Sequence, residues 1–137
     1  MCVCLATQAT TGPKVAPAYG TSDRYKLFEA LSYISSEFHG TIGQLFNPTL
    51  SEEVKAFVHT KLAQKLTYLE NTLIGTKDFI VGGAFSVADS YAYIVLSWAG
   101  YVNVDLSPYP NLRAYYERIG ALPGVRGAHE RMATSPD

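Results

Sequence analysis

Apolar residues recur at helical steps along most of the chain. Leu27, Leu31, Ile34, Phe38, Ile42 and Leu45 follow one another at intervals of four, three, four, four and three. That spacing predicts one long helix, capped by Thr21, with Asp23 in its first turn and an end near Asn47-Pro48. Beside the apolar stripe runs a small, polar one of Ser32, Ser36, His39 and Gly43. Small residues in a row make a groove able to admit a ligand or another chain. Ser51 caps a second helix, opened by Glu52 and Glu53 and closed by Gly75. Its expected buried face is Val54, Val58, Leu62, Leu66, Leu69 and Leu73. Two long helices joined by a short Asn-Pro loop should pack antiparallel.

The loop 77–84, with Gly82-Gly83, leads into the stretch that organises the rest. Ser86 reads as an N-cap and Asp89, three residues on, as its reciprocal partner: a capping box with Asp in place of the usual Glu or Gln. Val87, Tyr91, Ile94, Val95, Trp98 and Val102 share one side of the helix that follows, and Ala88, Ala92, Leu96 and Ala99 cover most of the other. No charge follows Asp89 in this helix, which predicts burial on every side at the centre of an all-α core. Asp89 is read as half of a cap, not as a catalytic base. A rigid connector, 105–110, precedes a helix with Pro110 in its first position and Leu112, Tyr115, Tyr116 and Ile119 turned inward. Pro123 opens a last short helix, and 134–137 reads as a frayed tail. No segment reads as a strand.

Composition narrows the classes. At 137 residues, with 47% hydrophobic and 17% charged, the chain is sized and balanced for one folded domain. Eleven Lys and Arg against twelve Asp and Glu leave no basic face, so neither nucleic acid nor an anionic membrane is an expected partner. The longest apolar run in the central helix, Tyr91 to Leu96, is far short of the ~20 residues that cross a bilayer. Cys2 and Cys4 do not form a C-x-x-C pair and read as small buried hydrophobes. With no basic leader ahead of them, a reduced, cytoplasmic setting is expected. His39, His59 and His129 lack metal-ligand spacing, so no metal is expected. Residues 1–9 read as a short apolar helix that cannot stand alone, and 10–20, with two prolines and two glycines, as a linker.

An ordered series then appears: Arg24-Tyr25, Ser36-Glu37-Phe38-His39, Leu45-Phe46-Asn47-Pro48, Phe85-Ser86-Val87-Ala88-Asp89, Val95-Leu96-Ser97-Trp98-Ala99, the run from Asp105 to Leu112, Tyr116-x-Arg118-Ile119 and Pro123-x-Val125. From about Cys4 to about His129 this series resembles the C-terminal helical domain of cytosolic glutathione transferases, the bacterial beta class above all. The resemblance implies an all-α helical bundle over 21–133. It implies that 1–9 is the remnant of the last helix of an absent thioredoxin-like domain, the half that holds glutathione and, in the beta class, the special cysteine. Cys2 and Cys4 do not take that cysteine's role.

By the same resemblance His39 matches the beta-class histidine that faces the glutathione thiol. The family's adjoining lysine is replaced by Gly40. Ser32 stands where beta-class enzymes often carry an asparagine that reaches glutathione held by the partner subunit. Ser32 and Ser36 are therefore expected in the binding groove, with Phe38 and Trp98 as walls of an acceptor pocket. Where family members place an apolar residue after the capping Asp, this chain has Ser90, which weakens the hydrophobic staple to Phe85. The implied parent is a homodimer conjugating glutathione, as co-substrate, to a small electrophile through the thiolate. The chain alone is expected to bind no cofactor. It is also expected to expose an apolar patch where the missing half belongs. Two readings stay open beside this one: a non-catalytic interaction or dimerisation module, and a remnant without selected function.

Overall fold

The computed structural model describes residues 14–134, and within them the chain is all helix, turn and loop. The readings made for Cys2, Cys4 and 1–9 lie outside the described residues, as do 10–13 and 135–137. Among the described residues five α-helices longer than one turn frame the fold: α1 (Ser22–Tyr33), α2 (Glu52–Tyr68), α3 (Val87–Ser97), α4 (Pro110–Gly120) and α5 (Pro123–Thr134).

The first long helix is present, but it is not uniform. Beyond α1 the backbone widens into a π turn over Ile34–His39, returns to α over Gly40–Ile42 and tightens to 3₁₀ over Gly43–Phe46. The cause lies in the spacing. Ala30, Ile34, Phe38 and Ile42, all at most 1% exposed, are separated by steps of four. At 3.6 residues per turn each such step overshoots by about 40°, so three would carry Ile42 about 120° off the core. One extra residue in a widened turn takes back roughly 100°. Leu31 and Leu45, also counted in the predicted stripe, end up half-buried.

The second long helix repeats the device. Val58, Leu62, Leu66, Glu70 and Ile74 follow at steps of four and are all buried, and a π turn spans Leu69–Leu73. The Ile74 N–H reaches back five residues to the Leu69 carbonyl at 3.0 Å. Ser51 caps α2 by accepting from the Val54 N–H at 3.3 Å. Val54 itself is 43% exposed, because it sits in the first turn beyond the reach of the core. The two rods run antiparallel, as expected. Tyr33 packs at a tilt against Tyr68 with ring centres 4.5 Å apart, its hydroxyl donates to the Lys65 carbonyl at 3.2 Å, and Lys65 pairs with Glu37.

Helix α3 lies behind this pair, and its burial is one-sided. Ala88, Asp89, Ala92, Tyr93, Val95 and Leu96 are buried, whereas Ser90 is exposed and Ile94 is 41% exposed. The expectation of burial on every side is thus corrected: α1, the π turn that follows it and α4 supply neighbours for one face, and the other looks into an open groove beside α5. Helix α5 contributes no buried residue. It is latched by Tyr93, whose hydroxyl lies 3.0 Å from His129 Nε2 and whose ring stacks on Tyr116 at 4.7 Å. In the connector, Asp105 accepts the Ser107 N–H at 2.8 Å and its hydroxyl at 2.7 Å, which holds the Asp105 carboxyl below the usual carboxylate range.

Candidate functional site

Two buried carboxylates fix the frame on which any site must rest. Asp89 is fully buried. Its Oδ2 accepts the Ser86 N–H at 2.8 Å and the Ser86 hydroxyl at 3.0 Å, so the predicted capping box is formed. Its Oδ1 accepts the Ile80 N–H at 2.9 Å and the Tyr115 hydroxyl at 2.7 Å. One side chain therefore ties the start of α3 to the preceding loop and to α4. Burial, reinforced by the Asp89 charge and hydrogen bond, pushes the Tyr115 phenol well above its ordinary value, so it stays a donor.

Glu70 is the second, and the sequence analysis did not pick it out. It sits inward in the π turn after α2, 7% exposed, and reaches across to the start of α4. Oε1 accepts the Asn111 N–H at 2.9 Å and Oε2 the Leu112 N–H at 2.8 Å. Helix α4 has Pro110 first and no side-chain cap of its own, so Glu70 caps it from another helix. The signal was present: an acid in an apolar run with steps of four.

The predicted site residues separate into two groups. His39, closing the π turn, is half-buried between two rings of α3 and its extension. Its Nδ1 lies 2.7 Å from Tyr91 Oη. Its ring meets Tyr91 edge-on at 5.7 Å and Trp98 edge-on at 4.8 Å. Trp98 in turn packs edge-on against Phe46 at 5.6 Å. Phe46, Trp98 and Tyr101 line an open hollow of about 400 Å³. His39 and Trp98, each named from the sequence, are thus in contact, joined by Phe46 and Tyr101, whose lining role the sequence did not single out. Such a hollow suits a flat, apolar molecule and offers an imidazole beside it.

Ser32 and Ser36 are not part of that cluster. Both are exposed, and the Ser36 hydroxyl donates to the Ser32 carbonyl at 2.8 Å. The predicted polar stripe is broken between Ser36 and His39, because the π turn shifts the register. Phe38 is 0% exposed and belongs to the core, so the expected wall role is corrected: it has no surface to give a ligand.

A larger cavity, about 660 Å³, opens on the far side of α3. Val15, Phe85, Ile94, Leu122, Val125 and Met132 supply most of its apolar lining. Met132 is 62% exposed. Among the described residues no group of three His, Cys, Asp or Glu could hold a metal ion, and no helix is long and apolar enough to cross a membrane.

Comparison with known proteins places this geometry. Residues 9–123 match the family model for the glutathione S-transferase C-terminal domain. The chain is 36% identical over 114 residues to glutathione S-transferase GstA of Escherichia coli O157:H7, covering 83% of this chain and 56% of that protein. The structure of a sphingomonad glutathione S-transferase complexed with glutathione superposes with a TM-score of 0.80 at 40% identity, over 88% of this chain and 60% of that one. The beta class glutathione S-transferase of Sphingomonas chungbukensis gives a TM-score of 0.79 at 39% identity, again over 88% and 60%. The chain spans about half the length of the curated relatives it matches, 56% and 51%.

Proposed function

The chain belongs to the glutathione S-transferase family, whose C-terminal domain it matches, and from that premise we propose that it forms the acceptor side of a transferase conjugating glutathione to an electrophile. Support comes from one arrangement above all. His39 is held against Trp98 beside an apolar hollow, on a scaffold fixed by Asp89 and Glu70. In the full-length parent, the thiolate of glutathione would attack a flat electrophile seated on Phe46, Trp98 and Tyr101. His39 would face the thiol and favour its ionised form. Each unit by which a thiol pKa is lowered is worth about 1.4 kcal/mol.

The glutathione-holding part of the site is assigned to a thioredoxin-like domain of that parent. The apolar groove formed by Val15, Phe85, Ile94, Val125 and Met132 is read as the face such a domain covers. This leaves the isolated chain prone to self-association. Ser32, which is exposed, is assigned the contact with a partner subunit in a homodimer of that parent.

A chimaera tests this reading. Residues 14–134 replace the matching domain of the Escherichia coli relative, and conjugation of glutathione to an aryl halide is followed. The chimaera is expected to turn over, His39→Ala to lower kcat/KM by about 10–100-fold, and the 137-residue chain alone to be inactive. A folded chimaera that binds glutathione but neither turns over nor responds to His39→Ala overturns the proposal.

A further inference from the structure

The two nitrogens of His39 are treated unequally. Nδ1 lies 2.7 Å from Tyr91 Oη, while among the described residues Nε2 has no protein partner. The direction of the contact follows from basicity. A neutral imidazole nitrogen is a much better proton acceptor than a phenol oxygen, and a phenol O–H is a better donor than an imidazole N–H. The Tyr91 hydroxyl therefore donates to Nδ1, and the ring proton belongs on Nε2.

Nothing else packed on the ring competes for this choice. Tyr91 and Trp98 both meet the imidazole nearly at right angles, 85° and 83°, and give it edges and faces but no second acceptor. A ring flip would turn Cδ2 toward the hydroxyl and forfeit the hydrogen bond. On the opposite edge stands Gly43. A Cβ there would sit 3.7 Å from His39 Cδ2, the atom bonded to Nε2. With glycine at this position, that edge is left clear of a side chain.

Resting on the thiol-facing reading of His39, we propose that Tyr91 is the positioning residue of the site: its hydroxyl holds His39 as the Nε2–H tautomer and turns that N–H outward as the donor for a bound thiolate. Tyr91 does not touch the reacting atoms. It acts by removing a choice of tautomer and of ring orientation before the ligand arrives.

The test needs neither activity nor ligand. Long-range ¹H–¹⁵N correlation on the 137-residue chain at pH 8 reads which ring nitrogen carries the proton. The expected spectrum shows His39 Nδ1 unprotonated and Nε2 protonated, as a single tautomer. Tyr91→Phe keeps the ring and removes the hydroxyl. Both nitrogen resonances should then move toward the averaged positions of a freely exchanging imidazole, while those of His59 and His129 stay in place. A proton found on Nδ1 in the native chain overturns the proposal, whether or not the variant folds. So does a folded Tyr91→Phe chain with unmoved His39 nitrogens. Glutathione added to the chimaera described above, which carries the glutathione-holding domain, tests the other reading separately. Failure to move the Nε2 resonance even at tens of millimolar counts against the thiol-facing role of His39 and leaves the tautomer result intact.

Discussion

The two π turns place a polar side chain inward in the same way and use it in opposite ways. In the turn over Leu69–Leu73 the side chain is Glu70, and both its oxygens are engaged by the N–H groups that open α4. In the turn over Ile34–His39 it is His39, with one nitrogen engaged and one left, among the described residues, without a protein partner. A carboxylate with all its partners inside the fold is a structural tie. An imidazole with half its capacity unspent, beside an apolar hollow, is what the proposed function uses as its site. On the proposed function the same local irregularity serves stability in one helix and chemistry in the other, and what separates them is the count of satisfied groups.

The comparison can be broken by mutation, and the largest effect is expected from the fully satisfied carboxylate outside both turns. Asp89→Ala strands the Ile80 and Ser86 N–H groups and the Tyr115 hydroxyl together. At about 1–3 kcal/mol for each stranded donor, less what entering water recovers, a loss above ~3 kcal/mol and a Tm drop of roughly 10 °C or more are expected. Calorimetry reads this directly, and a drop of only a degree or two would remove Asp89 from the frame.

Glu70→Ala comes next, at about 2 kcal/mol, since it uncaps α4 and leaves two N–H groups without partners. Glu70→Gln keeps one acceptor and should lose about half as much by urea unfolding. Equal losses for the two variants would mean that the charge, rather than the two acceptors, carries the cap.

Raising the pH loads both regions alike and is a control on the contrast. Burial pushes Tyr33, above the first π turn, and Tyr116, on α4, up to about 12. For Tyr33 the charges of Tyr68 and Glu37 add to burial, and for Tyr116 the hydrogen bond and charge of Tyr93 do. A raised phenol holds its proton longer when folded. Its contribution is therefore complete below pH 10 and is lost as the pH climbs from 10 through 12. Tm should be flat from pH 8 to 9.5 and fall above 10, and Tyr33→Phe and Tyr116→Phe should each blunt the fall.

The smallest stability effect is expected from His39→Ala. It removes one hydrogen bond and the ring packed on Trp98, about 1 kcal/mol. A thermal shift as large as that of Glu70→Ala would erase the distinction between the two turns and make His39 a structural residue.

Helix order, the antiparallel pair and the Ser86–Asp89 box were legible because each rests on residues close in sequence. Thr21 and Ser51 cap their helices by bonds to residues three positions on. The partners of Asp89 beyond the box, and the whole role of Glu70, were not legible. Tyr115 lies 26 residues from Asp89, and Leu112 lies 42 from Glu70. His39 and Trp98 were each singled out from the sequence, but their contact was not, and Tyr91 passed as a packing residue, since nothing local tells that its hydroxyl meets an imidazole 52 residues away. Phe38 was misread because its fit to the family series says nothing of which way it faces. The π turns could have been anticipated. Steps of four repeated three or more times do not fit a regular α-helix, and a mixture of fours and threes does.

That irregularity also bears on the length of the rod. Deleting one residue between Ile34 and Phe38 would let the backbone relax into an ordinary helix with every ladder bond intact. The steps from Ala30 to Ile34, Phe38 and Ile42 would become four, three and four, which an ordinary helix keeps on one face. The surplus residue is thus dispensable to the buried face, and its loss would fall on the side chains inside the turn, His39 among them.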